Sequence, residues 1–132
     1  MKNKGFTLIE MLAVVIILAV LVLIATPAVI SISARVRTNM YCTKIEMLEK
    51  AGEMYAQENT LDEICTINSV SYSCKNITVH TLISLNYVDA DKNDTILTDP
   101  RDDSSMNDTE IIVYQKGTRY YTIIEAAASV CN

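Results

Sequence analysis

The sequence has one histidine, three glycines and no Cys-x-x-Cys pair. His80 stands without a second imidazole, a nucleophile or an acid placed to serve it, so neither a zinc set nor an acid–base centre is expected. Gly5, Gly52 and Gly117 are too scattered to cradle a phosphate, and no triad spacing or internal repeat is present. Positive charge is also scarce, with 11 Lys and Arg against 16 Asp and Glu and a net charge of −5. Non-specific nucleic-acid binding depends on Lys and Arg neutralising phosphates, so direct binding of nucleic acid is not expected. These absences predict a protein that is not an enzyme and that holds no cofactor or metal.

The most consequential absence lies near the start. Between Phe6 and Ala34 there is no Lys, Arg or His, and the only charge is Glu10. As a helix these 29 residues would run roughly 43 Å, more than the roughly 30 Å of a bilayer's hydrocarbon core. A carboxylate at mid-span costs roughly 2.5–3.5 kcal/mol on insertion scales and less near an end, so Glu10 calls for a partner. One cation would appear if the chain were cut after Gly5, namely the α-amino group of Phe6, protonated below roughly pH 8. It precedes Glu10 by four residues, so the pair can form within one helix or between neighbouring chains.

Lys4-Gly5-Phe6-Thr7-Leu8-Ile9-Glu10, followed by a long apolar helix, resembles the leader and N-terminus of type IV pilins and related pseudopilins. The resemblance implies that a prepilin peptidase cleaves after Gly5 and methylates Phe6. It also implies that mature helices pack into a filament core with Glu10 meeting a neighbouring subunit's amine. Pro27 falls where these proteins often carry a helix-breaking proline. Implied partners are the membrane, other pilin subunits, and an assembly platform with its ATPase. The close match covers about 30 residues. A cleaved secretory signal explains the stretch less well, since its apolar core runs roughly 7–15 residues. An ordinary anchor leaves Glu10 unexplained.

The domains expected are a leader over 1–5, an apolar transmembrane and assembly helix over 6–34, and an extracytoplasmic domain over 35–132. That last part is small and its core modest, so covalent staples are expected. Removing Lys2 and Lys4 would take the side-chain charge from −5 to −7, ordinary for a solvated exterior surface. Lys2 and Lys4 favour a cytoplasmic N-terminus, although Arg35, Arg37 and Lys44 lie on the other flank. Four cysteines in an exterior domain read as two disulfides, with three connectivities open by count. The segment from Cys65 to Cys74 is read as a hairpin turning near Ser69, placing those two cysteines opposite each other. Cys42 and Cys131 are then left to one another.

From Arg35 to about Glu58 the pattern becomes amphipathic. Tyr41, Ile45, Leu48 and Tyr55 form a helical stripe, widened by Met40, Met47, Ala51 and Met54. Thr78 is read as the N-cap of a short helix burying Val79, Leu82, Ile83 and Leu85. Tyr87 closes this unit with a Leu-x-x-x-x-Tyr turn common in pilin-like domains, ahead of a proline-containing loop that Asp99-Pro100 matches. Asp89, Asp91 and Asn93 supply the first three side-chain positions of a calcium loop. The motif then fails at Asp94, where glycine belongs, and at Pro100, where a bidentate Glu belongs. The acidic stretch 89–110 is therefore read as solvated loop. Residues 111–114 and 120–124 flank a turn at Gly117 as strands, with tyrosines and threonine outward and Ile and Val on the helix. Residues 126–130 suit a strand end or a short helix.

The fold expected is α+β and ladle-like: one helix over about 6–58, packed by its C-terminal half on a small antiparallel sheet. The function expected is a structural subunit of a type IV pilus or related filament. The alternatives are a pseudopilin of a type II-like secretion or DNA-uptake machine, and a membrane-tethered domain that never polymerises. Before assembly the protein would be single-pass with its domain outside; afterwards it would lie in a surface filament. The processing site gives a direct check. Mass spectrometry on protein from the native host should show loss of residues 1–5 and one added methyl group on Phe6. Gly5→Val should block both; an intact Met1 in exported protein would sink the pilin reading.

Overall fold

The computed structural model describes residues 7–131, with the side chains of residues 25–28 left aside. Gly5 and Phe6 therefore lie outside the described residues, as does the side chain of Pro27. Five main elements follow the first helix α1 (Leu8–Glu58): β1 (Glu63–Ile67), β2 (Val70–Thr78), α2 (Val79–Ser84), β3 (Glu110–Lys116) and β4 (Arg119–Ile123). The architecture is α+β. The chain divides into two units, Met1–Val36 and Arg37–Asn132.

In the first unit every large apolar side chain from Leu8 to Ile24 is exposed, as are Val29, Ile30 and Ile32. Leu8–Ile24 and Val29–Glu58 together are long and apolar enough to cross a membrane by length and composition. Among the described residues no single helix meets that measure alone. A helix that is apolar all round must find lipid or protein to cover it.

In the second unit the strands lie in the order β1-β2-β3-β4, each pair antiparallel. Along α1, Tyr41, Ile45, Leu48, Ala51, Tyr55 and Ala56 are buried, and Ile77, Ile111 and Val113 join the same core. Val79, Leu82 and Ile83 of α2, with Val88, Leu97 and Met106 beyond it, complete that core. The periodic stripe is as the sequence suggests, but its width is not. Met40, Met47 and Met54 are about half exposed, at 52%, 41% and 53%, because they fall on the face of α1 turned away from the core. Leu85 is likewise exposed, standing just past the last turn of α2.

Helix and sheet approach most closely at Gly52. A Cβ there would lie 2.8 Å from Thr122 Oγ1 and 3.1 Å from a Val113 methyl. Thr122 Oγ1 donates to the Glu49 carbonyl at 3.0 Å, tying β4 to the helix backbone. Thr122 therefore sits on the helix side of the sheet, correcting its expected outward placement. Its register partner is Val113, while Ile112 and Ile123 pair beside it and are half-buried. On the face opposite Thr122, Tyr114 packs against Tyr72 at 5.4 Å and Tyr121 at 5.5 Å between ring centres.

Both expected disulfides are present, Cys65–Cys74 and Cys42–Cys131. The first hairpin differs in register from the expectation. Asn68 and Ser69 form the turn with φ of 50° and 66°, so Ile67 pairs Val70. Cys65 then faces Tyr72 and Cys74 faces Glu63, and the disulfide crosses the ladder diagonally with Cα atoms 5.8 Å apart. A diagonal pair still lies within the roughly 4.4–6.8 Å that a disulfide spans. The second hairpin turns at Gly117 with φ of 64°. Residues 125–127 form a single 3-10 turn, settling the ambiguous segment near the end.

The end of α2 explains the Leu-x-x-x-x-Tyr spacing physically. Asn86 takes φ of 60°, its N–H donates to Ile83 O at 3.0 Å, and the Tyr87 N–H reaches back to Leu82 O at 2.9 Å. That is a Schellman ending, which brings the residue two past the cap toward the third-last helical residue.

Two substitutions test these close fits. Gly52→Ala should destabilise by about 1–3 kcal/mol, because overpacking against Thr122 and Val113 outweighs the gain in helix propensity. Ser69→Gly should stabilise by up to about 1 kcal/mol by relieving a left-handed non-glycine residue. Denaturant unfolding followed by near-ultraviolet tyrosine signals, with the full chain in detergent, reads both.

Candidate functional site

Two groups of polar side chains lie along α1. The first is at its start. Thr7 precedes the helix, and its carbonyl accepts from the amides of Glu10 at 3.1 Å and Met11 at 3.3 Å, as an N-cap does. Glu10 curls back over this turn. Its Oε2 accepts from the Thr7 backbone N–H at 3.1 Å and from the Thr7 hydroxyl at 3.2 Å. The pattern Thr-x-x-Glu is the capping-box spacing, and half of that box forms: the acid satisfies the cap's N–H. The hydroxyl turns to the carboxylate instead of the third amide. A negative group in the first turn also suits the positive end of the helix dipole.

Sequence reasoning singled out Glu10 but found its only partner in the Phe6 amine. The structure adds Thr7 as a neutral partner within the same turn. The signal was legible in Thr7-Leu8-Ile9-Glu10. It was missed because the search was for a cation.

The second group anchors the loop that follows α2. Lys44 pairs with the Asp91 carboxylate and donates to Thr98 O at 2.7 Å. Asp91 Oδ2 also accepts from the Thr98 amide at 2.9 Å and hydroxyl at 3.0 Å. Burial opposes ionisation of Asp91, but the bonds from Lys44 and Thr98 outweigh it and hold the carboxyl below the usual aspartate range. Asp99 is buried and gripped at both oxygens by Arg101, at 3.0 Å from Nε and 2.6 Å from Nη2. That guanidinium holds Asp99 below its ordinary range against the effect of burial. Arg101 lies 3.6 Å over the Tyr41 ring, and its carbonyl accepts from Arg37 at 3.3 Å.

This geometry decides the calcium question for Asp91. Its inner oxygen is occupied by an ammonium and two protein donors, and it is directed at the helix instead of into the loop. Asp94 does take the left-handed conformation that the motif reserves for glycine, with φ of 55°. Even so, among the described residues no three His, Cys, Asp or Glu side chains gather to hold a metal. His80 is exposed on α2.

Residues 1–26 match the family described as the prokaryotic N-terminal methylation motif. This is a type IV prepilin-like signal segment, and it marks a structural subunit in preference to an enzyme. No curated protein and no solved structure matches the chain.

The loop anchor predicts acid sensitivity of a definite sign. Asp91 and Asp99 are both depressed in the folded state, so their contribution is present above the unfolded value of about 3.9 and is lost as pH falls through the lower folded values. Asp99→Asn should cost about 1–3 kcal/mol at neutral pH and flatten the loss of stability below about pH 4. Unfolding midpoints of wild type and variant across pH 2–7 would show it; parallel curves would refute the assignment.

Proposed function

We propose that the protein is a structural subunit of a type IV pilus or a related filament, made as a prepilin and assembled through its N-terminal helix. The observation that carries this reading is the methylation-motif match over residues 1–26, joined to a lone acid in the first turn of a helix whose apolar side chains lie uncovered. Prepilin peptidase removes residues 1–5 and methylates Phe6. The apolar segment 6–34 then holds the subunit in the membrane with residues 35–132 outside. Extraction into a filament exchanges lipid for neighbouring helices, one apolar environment for another. Area burial alone therefore gives little driving force, and packing and polar pairing must discriminate.

Glu10 supplies the polar part. In a neighbour's presence its carboxylate meets the Phe6 amine of the adjoining copy, so docking relieves two charges that lipid solvates poorly. A pseudopilin of a secretion or DNA-uptake machine uses the same N-terminal device, and the final location of the protein separates the two. Immunogold labelling of sheared surface filaments is the test of location.

The test of mechanism is Glu10→Gln, which keeps shape and discards charge. Processed protein in the membrane should stay at wild-type level while surface-filament yield falls about tenfold or more, the scale of one lost charge-assisted bond. Normal filament yield from this variant would remove the electrostatic docking idea, and a chain that never polymerises would tolerate the change with no defect.

A further inference from the structure

Glu10 has a second dependency that its charge alone does not reveal. Both of its bonds come from Thr7, one from the backbone N–H and one from the hydroxyl, and both end on Oε2. Among the described residues Oε1 accepts none. A backbone N–H at a helix start and an isolated carboxylate are each costly in an apolar medium. Here each satisfies the other, and the hydroxyl adds a second donor to the same oxygen.

We propose that Thr7 is the positioning residue for Glu10, with its hydroxyl fixing the carboxylate for an incoming amine. This rests on the reading that Glu10 receives the amine of a neighbouring copy. A free glutamate has three rotatable side-chain bonds, and ordering them at the moment of docking weakens association. Held through Oε2, the side chain has already lost that freedom before the neighbour arrives. Its other oxygen remains for the amine, so docking completes the carboxylate's shell without breaking the bonds it has. A valine at position 7 keeps the branching and the backbone N–H but removes the hydroxyl. A serine keeps the hydroxyl.

The variants Thr7→Val and Thr7→Ser are made in the full-length chain in the native host, with Glu10→Gln beside them. Thr7→Val should leave the amount of processed membrane protein unchanged and lower filament yield about tenfold, the range for one hydrogen bond to a charged group. Thr7→Ser should restore yield to near wild type. In isotope-labelled full chain in micelles, the Thr7 amide proton should move downfield between acid and neutral pH as the carboxylate ionises. Glu10→Gln should abolish that movement. If Thr7→Val assembles normally while Glu10→Gln does not, positioning by Thr7 is overturned and the docking role of Glu10 stands. If Glu10→Gln assembles normally, both ideas fall. A Thr7 amide that ignores pH in the wild-type chain overturns the positioning role by itself.

Discussion

Everything from Leu61 to Cys131 is arranged against one stripe of side chains on α1. Leu48 stands at its centre, fully buried, with Tyr41 and Ile45 before it and Tyr55 beyond. Remove this surface and the sheet has one face with nothing to cover it, since four short strands alone are marginal in water. Gly52 shows how close the approach is: no side chain fits between the helix and Thr122. The strand order, the hairpin turns and the path of the loop all serve to bring apolar residues onto this stripe.

Polar contacts then decide how the long connection between α2 and β3 is held. It has little regular structure of its own, only the isolated bridges Lys92–Ile96 and Thr98–Ser105. Its fixed points are instead Lys44 on Asp91 and Thr98, and Arg101 laid between Asp99 and the Tyr41 ring. An acidic loop that would otherwise repel itself is thus pinned by cations, one from the helix and one of its own. The same carboxylates that suggest a cation site in the sequence are spent on these internal pairs.

Much of the fold was legible because its period is strong. Tyr41, Ile45 and Leu48 announce the buried face of a helix, and Gly117 between β-branched runs announces a hairpin. Thr78 caps α2 as its side chain predicts, accepting from the Thr81 amide. What failed was finer. A hydrophobic residue adjoining a stripe is not thereby inside it, so Met40, Met47 and Met54 were placed in a core that lies on the other side of α1. The hairpin register depended on whether Asn68-Ser69 or Ser69-Val70 forms the turn, a shift that spacing alone does not resolve. At the N-terminus the carboxylate was visible but its neutral partner was not. Hydroxyl and amide donors carry no charge by which a sequence betrays them.

The bond between Cys42 and Cys131 has a mechanical consequence. It joins the helix to the far end of the chain across a sequence separation of 89 residues, enclosing every strand and α2 within one covalent ring. A tensile load applied to the helix ahead of Cys42 and to the tail after Cys131 passes through this bond and bypasses the sheet. At roughly 3.4 Å per extended residue, about 300 Å of contour is withheld from stretching. Under pull along that line the domain acts as an inextensible link, whatever the stability of its hydrogen-bonded ladder.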